Sequence, residues 1–122
     1  MKQKFFSAGT WLKRFGYAFK GIEYVLRDGQ SIWIHLVATI LVVVFSVIKG
    51  VTGMEAIALS FTVGIVWVAE LLNTAIEKLA DKINPDFDIQ IKYVKDIAAA
   101  AVLIAAIISF VVGAIIFIPK FL

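Results

Sequence analysis

Four side chains able to bind a cation or move a proton, Glu70, Asn73, Glu77 and Asp81, follow one another at steps of three, four and four residues inside a long apolar stretch. A helix turns by about 100° per residue, so the four fall within roughly 80° of one another as a single polar stripe. Ionisable groups in a bilayer-length segment cost about 2.5 to 3.5 kcal/mol each near the centre on insertion scales. Their presence there points to function.

Glu70 and Glu77 are separated by about 10.5 Å along a helix axis, too far to share one ion within one chain. Two jobs follow. Glu77, a turn inside Asp81 and next to Lys78, is at a depth where a carboxylate can bind Mg²⁺ that also takes phosphate oxygens from a nucleotide. Glu70 lies about two turns deeper, where it suits a general base for an alcohol, and Asn73 between them can orient either group. A hydroxyl arriving from the bilayer and a phosphate arriving from water would meet at this stripe. Phosphoryl transfer needs mainly positioning and charge neutralisation: a metal, a lysine and a base. Lys95 supplies the lysine if the last apolar segment packs beside the one that carries the stripe.

The elements that hold the stripe are legible in composition. The chain has 122 residues, of which 61% are hydrophobic, and a mean hydropathy of +0.95. Soluble domains are usually about 45 to 50% apolar, so this is an all-α integral membrane protein. Segments 32–48, 54–79 and 97–118 have the length of spanning helices, for which about 17 to 25 residues are needed. Residues 7–28 place Trp11, Leu12, Phe15, Phe19, Ile22, Val25 and Leu26 at helical steps among Lys13, Arg14, Lys20 and Glu23. That pattern predicts an amphipathic helix lying in the membrane interface. Gly29 and Ser31 break it before Trp33, Gly50 to Gly53 form a turn, and Asn84 and Pro85 stop the second span. A short polar loop carries Asp86, Phe87 and Asp88 towards Lys95 and Asp96, and Pro119 is expected to end the last span. Residues 1–122 read as one domain without repeats.

The net charge of +3 is unevenly spread. Lys2, Lys4, Lys13, Arg14, Lys20 and Arg27 precede the first span, and Lys78, Lys82, Lys92 and Lys95 surround the second connection. Basic residues accumulate on the cytoplasmic side, so the N-terminus and the 80–95 connection are expected on the cytoplasmic side of the membrane. The opening is no secretory signal, because mixed charge continues to Asp28. The chain has no cysteine, which removes disulfides and thiol chemistry. No nucleic-acid partner is expected. Gly16 and Gly21 have a glycine-loop spacing without the following lysine of a phosphate-binding loop. His35 reads as an interfacial or helix-packing residue, since no second histidine exists to form a metal pair, and Trp67 reads as packing.

Other readings use the same residues. The stripe can be interhelical glue in an oligomer, and Lys95 with Asp96 an ordinary charged helix flank. A carboxylate-dependent transporter would use Glu70 as its proton-binding residue and leave Lys95, Asp96 and the 86–88 turn idle. Three short helices cannot enclose the stripe by themselves, so every reading requires self-association.

The combination E-x-x-N-x-x-x-E over Glu70, Asn73 and Glu77, with Asp81 and then Lys95 and Asp96 opening an alanine-rich helix, closely resembles the prokaryotic diacylglycerol kinase and undecaprenol kinase family. The resemblance extends to the Gly16 to Gly21 segment and to Ile118, Pro119 and Lys120. It implies a homotrimeric lipid kinase with three membrane helices and a surface helix per subunit, using ATP and Mg²⁺ at sites between subunits. Matched position by position, it makes Glu70 the general base, has Asn73 hold the reacting centre and makes Glu77 a metal ligand. It has Asp81, Lys95, Asp96 and the turn of Asp86, Phe87 and Asp88 contact nucleotide, with Tyr17 beside the phosphates and Lys13 or Arg14 adding positive charge. The family usually has a second metal-binding glutamate where this chain has Gly29, followed by Gln30. Asp28 is the nearest substitute and Glu23 a more distant one. The segment from Ser31 to His35 and the Ile-Pro-Lys ending resemble members acting on undecaprenol slightly more than those acting on diacylglycerol.

Overall fold

The computed structural model describes residues 8–29 and 31–122, and its regular structure is helical throughout. Ser7, Lys2, Lys4 and Gln30 lie outside the described residues. Helix α1 covers Ala8–Asp28, α2 Ile32–Lys49, α3 Gly53–Ile83 and α4 Ile89–Phe121. The last three are long and apolar enough to cross a membrane.

Local chemistry sets the boundaries. Gly50 has a positive φ of 73°, and its N–H donates to the Ser46 carbonyl, closing α2 with a residue that lacks the Cβ penalty. Thr52 then opens α3 through a capping box: its Oγ1 accepts from the Glu55 N–H at 3.2 Å while the Glu55 carboxylate accepts from the Thr52 N–H at 3.0 Å. At the far end α3 stops at Ile83, where Pro85 follows the capping Asn84.

Two expectations need correction. The last helix starts at Ile89, about two turns before residue 97, because Asp88 caps it: Oδ1 accepts from the N–H groups of Gln90 at 2.8 Å and Ile91 at 3.2 Å. Asp88 to Asp96 is therefore a cap and two helical turns in place of a loop. Pro119 does not end the helix, which runs to Phe121. In the final turn a proline forfeits one backbone bond and no following turn depends on it.

Helices α3 and α4 form a close antiparallel pair with Ala98 and Ala105 buried between them. Small side chains let the two backbones approach. The pair is flush at one end, where Lys120 Nζ lies 3.0 Å from Glu55 Oε1. At that end α2 is fixed too, since Phe121 meets Phe45 edge-on at 5.6 Å and Lys49 Nζ lies 4.3 Å from the centroid of the Phe121 ring.

The helix lengths then decide where the stripe falls. Helix α2 has 18 residues and α3 has 31, or about 27 Å and 46 Å at 1.5 Å per residue. Flush at one end, α3 and α4 must overhang α2 at the other by roughly 15 to 20 Å. Glu70 stands beside the first turns of α2, whereas Glu77, Asp81 and Lys95 are on the overhang. Burial is inverted relative to a soluble protein: Glu70, Asn73, Thr62 and Thr74 are buried while Phe61, Leu72, Phe110 and Ile115 are exposed. The apolar exterior fits hydrocarbon or further protein.

Candidate functional site

A cavity of about 400 Å³ lies where α2 begins, lined by Asp28, Gly29 and Ser31 from the α1–α2 turn, by Glu70, Asn73, Thr74, Glu77, Lys78 and Asp81 from α3, and by Lys95 from α4. The stripe keeps its promised geometry, since all four of its residues face this one space. Helix α4 returns beside α3 and brings Lys95 into an ion pair with Asp81 at the mouth.

Glu70 is only 3% exposed and is held from two sides. His35 Nε2 on α2 lies 3.2 Å from Glu70 Oε2, and the Thr74 hydroxyl, one turn along α3, donates to Oε1 at 3.5 Å. His35 is thus more than a packing histidine. Sequence reasoning missed it because thirty-five residues separate it from Glu70, and only the packing of α2 on α3 joins them. Trp67 was likewise read as packing. Its Nε1–H donates to Thr39 Oγ1 at 2.8 Å and makes a second polar rung between the same helices.

Asn73 donates from Nδ2 to Glu77 Oε1 at 3.2 Å, as suits a residue that orients a carboxylate. Its Oδ1 is buried and has no hydrogen-bond partner among the described residues. A buried acceptor left unpaired costs about 1 to 3 kcal/mol, so an incoming donor would be welcome there.

Other predicted residues are not brought to the cavity. Tyr17, Lys13 and Arg14 are exposed on α1 and do not line it, and the Arg14 guanidinium stacks 5.1 Å from the Trp11 ring. Asp96 pairs with Lys92 on the outer face of α4 at 2.5 Å. Asp86 and Phe87 are exposed in the α3–α4 turn, while Asp88 is engaged in its cap.

The departure at Gly29 has a structural basis. A Cβ at that position would come within 2.5 Å of the Val25 carbonyl oxygen, which accepts from the Gly29 N–H at 2.8 Å. No side chain fits there unless the turn moves. Asp28 lines the cavity while Glu23 does not, its carboxylate pairing with Arg27 at 2.8 Å.

A divalent cation such as Mg²⁺ needs oxygen donors that converge. Among the described residues no three His, Asp or Glu side chains converge as a ready-made metal cage. Mg²⁺ rarely uses one: it takes one or two carboxylates and completes its shell with water and substrate phosphates. Glu77 and Asp28 on one cavity, with an open amide oxygen between Glu70 and Glu77, suit that mode.

Beside this cavity is an apolar one of about 520 Å³ between α1 and α3, lined by Ala18, Gly21, Ile22, Val25, Leu71 and Ala75. Asp28, Thr74 and Lys78 border both spaces.

Fold and site together define a small helical membrane protein with an ionisable cavity where its shortest span begins. The profile of the prokaryotic diacylglycerol kinase family matches residues 16–117. An undecaprenol kinase of Bacillus subtilis is 33% identical over 110 residues, covering 90% of this chain and 89% of the relative. A diacylglycerol kinase of Escherichia coli K12 is 32% identical over 98 residues, 80% of each chain. A diacylglycerol kinase of Synechocystis is 31% identical over 116 residues, and the match spans 94% of this chain but 66% of that relative's length. The chain belongs to the prokaryotic diacylglycerol kinase family, whose members are named as phosphotransferases to a lipid alcohol.

Proposed function

We propose that this protein transfers the γ-phosphate of ATP to the hydroxyl of a membrane lipid, with undecaprenol slightly favoured over diacylglycerol. The observation that carries the reading is the convergence of Glu70, Asn73, Glu77, Asp81, Lys78 and Lys95 on one cavity that shares a wall with an apolar space. A lipid chain would lie in the apolar space between α1 and α3 and carry its hydroxyl past Thr74 to Glu70.

Glu70 is the general base. It is buried, contacted at both oxygens and faces the cavity, and it takes the hydroxyl proton as the oxygen attacks the γ-phosphorus and the bond to the β–γ bridging oxygen breaks, releasing ADP. Asn73 orients Glu77 and offers Oδ1 to a donor on either substrate. Lys78 and Lys95 supply positive charge to the phosphates, which requires Lys95 to exchange Asp81 for the nucleotide. Glu77 and Asp28 would hold Mg²⁺, whose charge would neutralise the phosphate oxygens. Asp96, Tyr17, the 86–88 turn and Lys13 or Arg14 are assigned to the nucleotide through the family resemblance alone. They lie outside the cavity of one chain, which agrees with sites shared between the subunits of a homotrimer. The distribution of basic residues supports an inner-membrane protein with a cytoplasmic N-terminus and α1 on the membrane surface. The lean towards undecaprenol rests on the Ser31 to His35 segment and the Ile-Pro-Lys ending.

The test is transfer from radiolabelled ATP with Mg²⁺ in mixed micelles, with undecaprenol and diacylglycerol offered separately to wild type and Glu70→Gln. Label in one lipid that disappears in the variant is the expected result. No label in either lipid, from folded oligomeric protein, would overturn the kinase reading and favour a non-catalytic or transport role.

A further inference from the structure

We propose that His35 is a positioning residue that holds the Glu70 carboxylate in its reactive orientation through an Nε2–H donated to Oε2. The proposal rests on the reading of Glu70 as general base and adds a role for a residue on a different helix. A general base acts as the ionised carboxylate, which can only accept, so in that role the ring nitrogen 3.2 Å from Oε2 is the one that carries the hydrogen. His35 does not line the polar cavity. It borders a separate space of about 50 Å³ with Thr39, Val66 and Trp67. It therefore acts through Glu70 and touches no substrate.

The need for such a holder follows from the flexibility of glutamate. A free Glu side chain has up to about 2 kcal/mol of rotamer entropy to lose. The Thr74 hydroxyl at 3.5 Å is a long contact and shares α3 with Glu70, so it restrains the carboxylate weakly. His35 reaches in from α2, and the second rung fixes where it stands: Trp67 Nε1–H donates to Thr39 Oγ1, and that hydroxyl donates to the His35 carbonyl at 2.7 Å. Trp67 precedes Glu70 by three residues and Thr39 follows His35 by four, so the two rungs are one turn apart on both helices.

The experiment compares lipid phosphorylation by wild type, Glu70→Gln, His35→Ala, His35→Gln and Trp67→Phe, each with a thermal midpoint. His35→Ala is expected to lower kcat by about 10- to 100-fold, the scale of a misplaced catalytic group, with KM for ATP and lipid within about twofold. His35→Gln presents an amide N–H at similar reach and is expected to recover kcat to within about threefold of wild type. Trp67→Phe removes the rung that stations His35, so it is expected to lower kcat in the same direction as His35→Ala but by less, with a reduced midpoint. The chain has one histidine, so ¹⁵N-histidine labelling gives a single imidazole signature. That signature should show a protonated Nε2 that shifts in Glu70→Gln.

An unchanged kcat in His35→Ala would overturn the proposal while leaving the kinase reading intact, provided Glu70→Gln is inactive. So would a His35→Gln as slow as His35→Ala. Wild-type protein that phosphorylates neither lipid would overturn the kinase reading and this role with it.

Discussion

Of the four carboxylates on helix α3, Glu55 near its start and Glu70 past its middle are treated in opposite ways. At its N-terminal end Glu55 closes a capping box with Thr52 and pairs with Lys120, so its contacts are all internal to the fold. In its C-terminal half Glu70, Asn73 and Glu77 face a cavity, and Asn73 Oδ1 is buried with no donor to it among the described residues. A polar group that serves structure spends its hydrogen-bonding capacity on its neighbours. One that serves chemistry keeps some capacity open and accepts the desolvation cost. The contrast separates two carboxylates on one helix that composition alone treats alike.

The sharpest way to break this contrast is Glu70→Gln, which keeps the shape and removes the base. Phosphate transfer should fall by more than about 100-fold with the thermal midpoint nearly unchanged, as measured by lipid labelling beside calorimetry. Unfolding without a specific loss of rate would put Glu70 in the same class as Glu55. Next is Glu77→Gln, for which a Mg²⁺ titration of activity should show a half-saturation point raised by about 10-fold or more. Asp28→Asn should give a smaller rise in the same titration, and an unchanged midpoint would exclude Asp28 as a ligand.

Gly29→Glu restores the residue that the family usually has and tests whether the turn can accept it. A Cβ there meets a backbone oxygen at 2.5 Å, so the expected result is a lower thermal midpoint and no gain in Mg²⁺ affinity. Tighter metal binding would mean that the α1–α2 turn moves readily. The smallest effect is expected at the other end of α3. Thr52→Ala removes an N-cap worth about 1 kcal/mol and should lower stability while leaving kcat and KM alone.

Glu70, Asn73, Glu77 and Asp81 could be grouped because a helix obeys a fixed angle per residue, so their common face was determined before any packing was known. Lys95 required only that α4 return beside α3, which a short turn between two spans nearly enforces. His35 was read as a lone histidine because nothing local relates it to Glu70. Asp88 comes to the nucleotide only through the family resemblance, and its role as the cap of α4 needed the backbone geometry of the turn. Pro119 was placed at the end of a helix by its usual behaviour, but the last turn tolerates it.

By itself the amino-acid sequence determined that the protein is helical, that three of its segments suit a membrane, and that one face of one helix is ionisable, because these depend on periodicity and composition. Tertiary structure alone decided which polar groups are finished and which remain open. The flush end set by Glu55 and Lys120 fixes how far α3 and α4 overhang α2. That offset puts Glu70 against His35 at the start of the shortest span and leaves Glu77, Asp81 and Lys95 beyond it. The physical reason is that side chains on different helices meet according to helix lengths and packing register, and neither is encoded within a few residues of the groups they join.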